Sequence, residues 1–382
     1  MHHQKGVICV QYRKFGNTGI EISALGFGAM RLPKFEEEEK GFDHEAGIAL
    51  LRQGIDAGIN YVDTAPFYCD KESELIVGKA LQGGYRDKVY LSTKLPGDDR
   101  GCDKSRERLE ASLTRMQTDH IDFYHLWGLT WERFETQADP EGQVRMALKA
   151  KEEGLIRHLS FSFHDKPENM IKLIDTGLFA SVLCQYNLLD QSNAESMAHA
   201  HAKGLGVVVM GPIGGGRLGY PSQVVQSLLP GKIQSSPEIA LRFVLSNPNV
   251  SCALSGMGSP AMVTENAHIA STATKLTEEE QAQVVRAMEE NKRRAELYCT
   301  GCNYCMPCPV GVNIPLNFEA MNYHRVYELT EYARKQYAEI GVHPWKRGEK
   351  ASACIGCGAC EEKCPQHLHI REQLAETAST LG

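Results

Sequence analysis

Two groups of residues have types and spacings that can do chemistry. Near the C-terminus, Cys299-x2-Cys302-x2-Cys305-x2-Cys308-Pro309 is followed by Cys354-x2-Cys357-x2-Cys360-x3-Cys364-Pro365. Three thiolates spaced this way wrap one iron–sulfur cubane, and a fourth Cys before Pro reaches the other cluster. On that rule Cys299, Cys302, Cys305 and Cys364 hold one 4Fe–4S cluster. Cys354, Cys357, Cys360 and Cys308 hold a second. Pairs of C-x-x-C also bind structural zinc, but triplet spacing with a trailing proline opposes that reading. The first run has two residues before its last Cys where the bacterial pattern has three, so Cys308 is the ligand that departs from the rule.

The second group lies in the first third of the chain. Asp63 ends the apolar run Tyr61-Val62-Asp63, Tyr68 follows five residues later, and Lys94 ends Leu91-Ser92-Thr93-Lys94. An ammonium beside a phenol lowers the phenol's pKa, and an ionised carboxylate keeps that ammonium charged. The three together suit proton donation to a carbonyl oxygen. His125, in Ile121-Asp122-Phe123-Tyr124-His125-Leu126, is the fourth candidate, and His164 is a further polar group after Ser162-Phe163.

These residues need elements that bring strand ends together. Apolar runs at Ala24 to Gly28, Tyr61 to Asp63, Val89 to Thr93, Ile121 to Leu126, His158 to Ser162, Ser181 to Gln185, Val207 to Met210 and Cys252 to Ser255 read as buried strands. Helical patterns alternate with them, from about His44 to Ala57 through Ser73 to Leu81, Ser105 to Met116, Val144 to Lys151, Pro167 to Asp175, Ala194 to Lys203 and Pro237 to Leu245. Eight strand–helix units predict a parallel α/β fold closed as a (β/α)8 TIM barrel. A doubly wound sheet is the alternative, but Gly26 and Gly28 lack the third glycine of a dinucleotide fingerprint. A hairpin is expected around Gly16-Asn17-Thr18-Gly19. Ser259 and Pro260 start a helix after the last strand, and Thr277 with Glu280 forms a capping box opening a helix to Tyr298. The expected domains are a barrel over 1–276, a linking helix over 277–298 and a mainly helical two-cluster ferredoxin-like domain over 299–382. Within the last, a helix is expected from about Leu316 to Ile340.

Composition narrows the function classes. Net charge is −7 and no dense basic run exists, which opposes a nucleic-acid partner. The acidic run Glu36 to Glu39 reads as a solvated loop. No stretch has the length and apolarity of a membrane span, and Met1 to Val10 lacks a signal-peptide core. A reducing cytoplasm is the expected setting. Of the thirteen cysteines, Cys9, Cys69, Cys102, Cys184 and Cys252 are scattered and the other eight form the tail runs.

In its barrel region the chain resembles the aldo-keto reductase superfamily. The early hairpin, Asp63-Thr64-Ala65 to Tyr68, Ser92-Thr93-Lys94, Ser162, Gln185 and Glu265-Asn266 fall in that family's order over about residues 10 to 290. The resemblance implies Tyr68 as general acid, tuned by Lys94 and Asp63. It implies that Ser162 and Gln185 bond the nicotinamide amide, with Met210 where the family stacks a Tyr on the ring. The glycine-rich stretch Gly211-Pro212-Ile213-Gly214-Gly215-Gly216-Arg217 would aim backbone N–H groups at a pyrophosphate, with Gly211, Ile213 and Arg217 as contacts. Ser255, Gly256, Glu265 and Asn266 would serve the last cofactor loop. With its cysteine tail, the chain resembles the iron–sulfur branch of the family.

Three departures matter. The family's catalytic His lies five residues after the Asp of the fourth strand, and here that residue is Trp127. His125, two residues earlier, is expected about 6.6 Å deeper along the same face. Phe163 replaces an Asn, and Gly256 and Met262 replace basic residues used for a 2′-phosphate, so NADP, NAD and a flavin all stay open as cofactors. The expected function is an oxidoreductase acting on a carbonyl/alcohol pair with a nicotinamide cofactor. It would be coupled to, or structurally supported by, two 4Fe–4S clusters. The expected partners are a small-molecule carbonyl substrate and an electron carrier such as ferredoxin. The alternative is a nucleotide-binding redox sensor or electron-transfer module without carbonyl reductase activity.

Overall fold

The computed structural model describes residues 10–37, 40–97, 101–137, 142–229, 233, 235–272, 275–296, 299 and 301–382. Cys9, Tyr298 and the last two residues of the acidic run lie outside the described residues. The chain divides into two compact units, 1–214 with 240–276, and 215–239 with 277–382.

The first unit opens with an antiparallel hairpin of β1 (Tyr12–Lys14) and β2 (Glu21–Ser23). Eight parallel strands follow: β3 (Leu25–Gly28), β4 (Tyr61–Asp63), β5 (Tyr90–Leu95), β6 (Ile121–Leu129), β7 (Ile156–Phe163), β8 (Ser181–Gln185), β9 (Gly206–Met210) and β10 (Cys252–Ser255). They pair in sequence order, and β10 closes on β3 through Ala253↔Leu25, giving the expected closed barrel. The strands are near-continuous apolar runs because a barrel strand is buried on both faces, by the interior and by the surrounding helices.

The hairpin plugs the barrel floor. Phe15 packs edge-on against Phe123 with ring centroids 4.8 Å apart, in a cluster with Ile22, Tyr61, Leu183, Val208, Cys252 and Leu254. A Cβ on Gly206 would stand 2.3 Å from the Phe15 ring, so only glycine lets that ring seat. Strand register then sets the site at the other end. Asp63 pairs with Ser92, Ser92 with Phe123, and Lys94 with His125.

Helix starts follow the expected chemistry. Ser259 Oγ accepts from Met262 N at 3.3 Å, one turn into helix Pro260–Thr272. Thr277 and Glu280 form the reciprocal box, with Glu280 Oε2 accepting from Thr277 N at 2.8 Å and Thr277 Oγ1 from Glu280 N at 3.2 Å.

The second unit is helical, with main helices Glu278–Glu296, Ile314–Tyr327, Thr330–Ala338 and Ile370–Leu381. The single helix expected from Leu316 to Ile340 is two. Glu328 turns left-handed (φ 54°), Leu329 N donates to Tyr323 O at 2.9 Å, and Thr330 Oγ1 bonds His324 Nδ1 at 2.9 Å. These bonds satisfy the carbonyls and side chains at the break, which helix propensity alone does not reveal. Segment 215–239, expected in the barrel, groups with this unit. Arg217 Nη1 donates to Tyr323 Oη at 2.6 Å, Ser222 Oγ to the Tyr327 carbonyl at 2.6 Å, and Gln283 Nε2 to the Leu228 carbonyl at 3.0 Å.

Candidate functional site

At the C-terminal end of the barrel strands, the Lys94 ammonium is enclosed. Its Nζ donates to Asp63 Oδ1 at 2.6 Å and to the Thr64 carbonyl at 2.7 Å, and lies 4.7 Å from the centre of the Tyr68 ring. Asp63 and Lys94 are 3% and 2% exposed, so water does not screen them. Asp63 Oδ2 is occupied too, accepting from Ser92 Oγ at 2.8 Å. Ser92 lies two residues before Lys94 on the same strand face; that period-two placement was the signal for it in the sequence.

Two opposing effects act on Lys94. Burial pushes its pKa down, but the Asp63 charge, the facing Tyr68 and their hydrogen bonds outweigh it, and the pKa is raised. The ammonium is therefore charged. Tyr68 departs from expectation. Burial raises its pKa more than the Lys94 charge lowers it, so the phenol is held protonated, as an acid must be before it donates.

A tight turn presents the phenol. Tyr68 N bonds the Ala65 carbonyl at 3.1 Å, and Cys69, Asp70 and Lys71 all have positive φ (52°, 53° and 77°). Three consecutive non-glycine residues in that region are costly, and surrounding bonds hold them. Ser73 Oγ donates to the Ala29 carbonyl at 2.7 Å and lies 2.7 Å from Thr64 Oγ1, while the Cys69 thiol faces the Ala29 carbonyl at 3.4 Å.

His125 is in the deeper layer. It is fully buried, its Nε2 is 3.4 Å from Tyr61 Oη, and burial lowers its pKa to about 4. Trp127 stands at the mouth, edge-on to Tyr68 at 5.7 Å and tilted against Phe67 at 5.8 Å.

The remaining candidates fall into several places. Ser162 Oγ accepts from Gly128 N at 2.8 Å, tying the ends of β6 and β7. Gln185 and Met210 are paired neighbours on β8 and β9, both half-buried, with Gln185 Nε2 3.4 Å from Asp190 Oδ2. The Gly211 carbonyl accepts from Asn187 Nδ2 at 3.0 Å and Ile213 is half-buried, whereas Arg217 belongs to the second unit with Tyr323. Ser255 Oγ accepts from Asn266 Nδ2 at 3.0 Å, and Glu265 is exposed. The Arg31 side chain runs along Gly256, 3.5 Å from where a Cβ would stand. The sequence alone gave no signal for Arg31, which arrives from the loop after β3.

In the second unit, Cys299, Cys302, Cys305 and Cys364 line one hollow with Ile314, Phe318 and Leu368. These are the four thiols expected to share a cluster. The Cys360 thiol lies in the field of Cys354 and Cys357. Val312, four residues after Cys308, bridges Glu349 on the approach to that second run. The two runs repeat one local device, with Gly301 N donating to Cys299 Sγ at 3.3 Å and Gly356 N to Cys354 Sγ at 3.4 Å. Both glycines have positive φ (69° and 71°). Backbone N–H groups aimed at cysteine sulfur stabilise a metal-bound thiolate. Burial, then the charge of Cys299, pushes the Cys305 thiol up to about 11. Among the described residues, no three His, Cys, Asp or Glu side chains converge on a single-ion site.

Residues 24–289, more than half of the chain, match the aldo/keto reductase family. The chain belongs to that family. Residues 298–369 match a 4Fe-4S dicluster domain. The chain is 27% identical, over an alignment of 317 residues, to the uncharacterized oxidoreductase YqkF of Bacillus subtilis (strain 168), covering 74% of this chain and 96% of the relative. It is 27% identical to L-galactose dehydrogenase of Arabidopsis thaliana, over 67% of this chain and 87% of that one. Among solved structures, the holo form of aldo-keto reductase AKR11C1 from Bacillus halodurans superimposes with a TM-score of 0.63 at 27% identity, covering 73% of this chain and 96% of that one. An aldo/keto reductase from Klebsiella pneumoniae solved with NADP and acetate gives 0.59 at 26% identity, covering 72% and 95%. No described helix is long and apolar enough to cross a membrane.

Proposed function

We propose that this aldo/keto reductase interconverts a small carbonyl compound and its alcohol with NADP or NAD, with Tyr68 as general acid in the reducing direction. The buried Asp63–Lys94 pair beneath the Tyr68 ring carries this reading. Asp63 keeps Lys94 charged. Lys94 then favours the phenolate that forms as Tyr68 gives its proton to the carbonyl oxygen, while burial keeps the resting phenol protonated. When bound, a nicotinamide supplies hydride to the carbonyl carbon.

The chain's residues fit such a cofactor. Gln185 and Met210 are direct cross-strand neighbours, so a flat ring laid across β8 and β9 meets both, with Ser162 on the adjoining strand. Ser255, Gly256, Glu265, Asn266 and the capped start of helix Pro260–Thr272 would take the phosphate end, with Gly211 and Ile213 alongside. Arg217 is the least supported member, because its guanidinium already binds Tyr323. Arg31, whose stem runs along Gly256, would be the cation nearest the positions where the family's basic residues are missing, and with relatives solved with NADP or NADPH it supports NADP.

The eight tail cysteines would hold two 4Fe–4S clusters in the groups described. Bound clusters supply single electrons, whereas hydride carries two, so exchange between the centres needs a flavin or a substrate radical. We therefore assign the clusters a structural role in the second unit, with transfer to a carrier such as ferredoxin as the role a flavin would open. Iron and flavin quantified on anaerobic protein, with turnover of NADPH and NADH against an aldehyde panel, tests the reading. Bound cofactor with no turnover by wild type or Tyr68→Phe would favour the sensor alternative, which the Trp127 ring against Tyr68 supports.

A further inference from the structure

We propose that His164, and not His125, supplies the imidazole that hydrogen-bonds the substrate's carbonyl oxygen beside Tyr68. This rests on the carbonyl-reduction reading above. An oxygen that takes a proton from Tyr68 keeps a second lone pair, and charge grows on it as hydride reaches the carbon. A second donor there lowers the barrier.

His125 is badly placed for that task. It is the strand neighbour of Lys94, has no exposed surface, and already meets Tyr61 Oη below at 3.4 Å. A substrate at Tyr68 lies on the mouth side of Lys94, with the Trp127 ring at the position two residues further along the strand.

His164 follows the last residue of β7 and is exposed at the mouth. Its ring lies near Gly128, the next-to-last residue of β6. Gly128 has φ 56°, and a Cβ there would lie 3.9 Å from His164 Cδ2. Gly128 adjoins Trp127, whose ring meets Tyr68 at 5.7 Å. The bond from Gly128 N to Ser162 Oγ at 2.8 Å fixes these two strand ends relative to each other. Lys94, 4.7 Å from the Tyr68 ring centre, is also the charged group whose field reaches His164. Desolvation and then Lys94 lower the His164 pKa, so a neutral imidazole offers its N–H. The ring transfers no proton. Tyr68 supplies the only proton, and the step needs no further electron or acid.

The experiment uses anaerobically purified full chain, 4-nitrobenzaldehyde with NADPH and with NADH, and calorimetry for cofactor Kd. His164→Ala is expected to lower kcat roughly 10²-fold, the loss typical of deleting one donor to a developing oxyanion, with cofactor Kd unchanged. His164→Asn keeps an N–H donor and is expected to recover part of that loss. Wild-type kcat in His164→Ala, alongside an inactive Tyr68→Phe, would overturn the assignment of His164 alone. A larger loss in Trp127→Phe than in His164→Ala would also overturn it, since the indole N–H would then be the donor. Wild-type turnover in Tyr68→Phe would instead remove the carbonyl-reduction reading beneath it.

Discussion

Asp63→Asn and Lys94→Met, made singly and together, test whether the pair under Tyr68 behaves as one buried unit. In Asp63→Asn the ammonium keeps the Thr64 carbonyl at 2.7 Å but loses its counter-charge. In Lys94→Met the carboxylate keeps Ser92 Oγ at 2.8 Å and loses its cation. Removing one partner of a buried pair costs about 3–5 kcal/mol, because the other charge stays buried unpaired. Replacing both with neutral groups is roughly neutral by the same reasoning. The double variant should therefore be more stable than either single. Simple addition would instead predict a loss of about 6–10 kcal/mol, comparable to the whole stability of a domain. Urea unfolding followed by tryptophan fluorescence in a Trp345→Phe background reports the barrel, since Trp345 is 86% exposed in the other unit. The sign with pH is fixed. Lys94 has a folded pKa raised above 10.5, so its contribution is complete below 10.5 and is lost as pH rises through the folded value. The coupling should be flat across neutral pH. A double variant whose loss equals the sum of the singles within about 0.5 kcal/mol would refute the reasoning.

Tyr68→Phe should lower kcat for aldehyde reduction by about 10²–10⁴-fold with cofactor Kd unchanged, in steady-state kinetics and calorimetry. Cys302→Ser and Cys364→Ser should each halve the iron bound. Their double variant should lose no more, while Cys302→Ser with Cys357→Ser should lose nearly all; additive loss in the first double would break the shared-cluster assignment. His125 has a folded pKa of about 4 against 6.5 in a free chain, so the stability it contributes is full above 6.5 and falls away as pH drops toward 4. The loss at pH 5 is about 2 kcal/mol, and His125→Gln should flatten that acid limb in urea titrations. Gly206→Ala should destabilise the barrel by about 1–3 kcal/mol, read from the urea midpoint, because its Cβ would meet Phe15 at 2.3 Å.

Much of the architecture was legible because it depends on local, periodic signals. Buried parallel strands are apolar throughout, and the Ser259 and Thr277 caps use side-chain oxygens within three residues. Asp63, Lys94 and Tyr68 were legible as a group because strand ends converge in a barrel. What escaped depends on tertiary surroundings. The split at Glu328 needs a left-handed residue that nothing in its side chain demands. The pKa of Tyr68 depends on whether burial or Lys94 prevails, and only the packed site decides that. Arg31 reaches Gly256 from a loop more than two hundred residues earlier.

The membership of segment 215–239 bears on how the chain is made. Arg217 and its partner Tyr323 are 106 residues apart, and Ser222 and Tyr327 are 105 apart. At about 5–20 residues per second of synthesis, the segment is without these partners for roughly 5–20 s after it leaves the ribosome. Meanwhile β10, which closes the barrel, is already made. A barrel that closed during synthesis would therefore carry an excursion whose partners are not yet made, and keeping that excursion soluble would be a burden on the nascent chain.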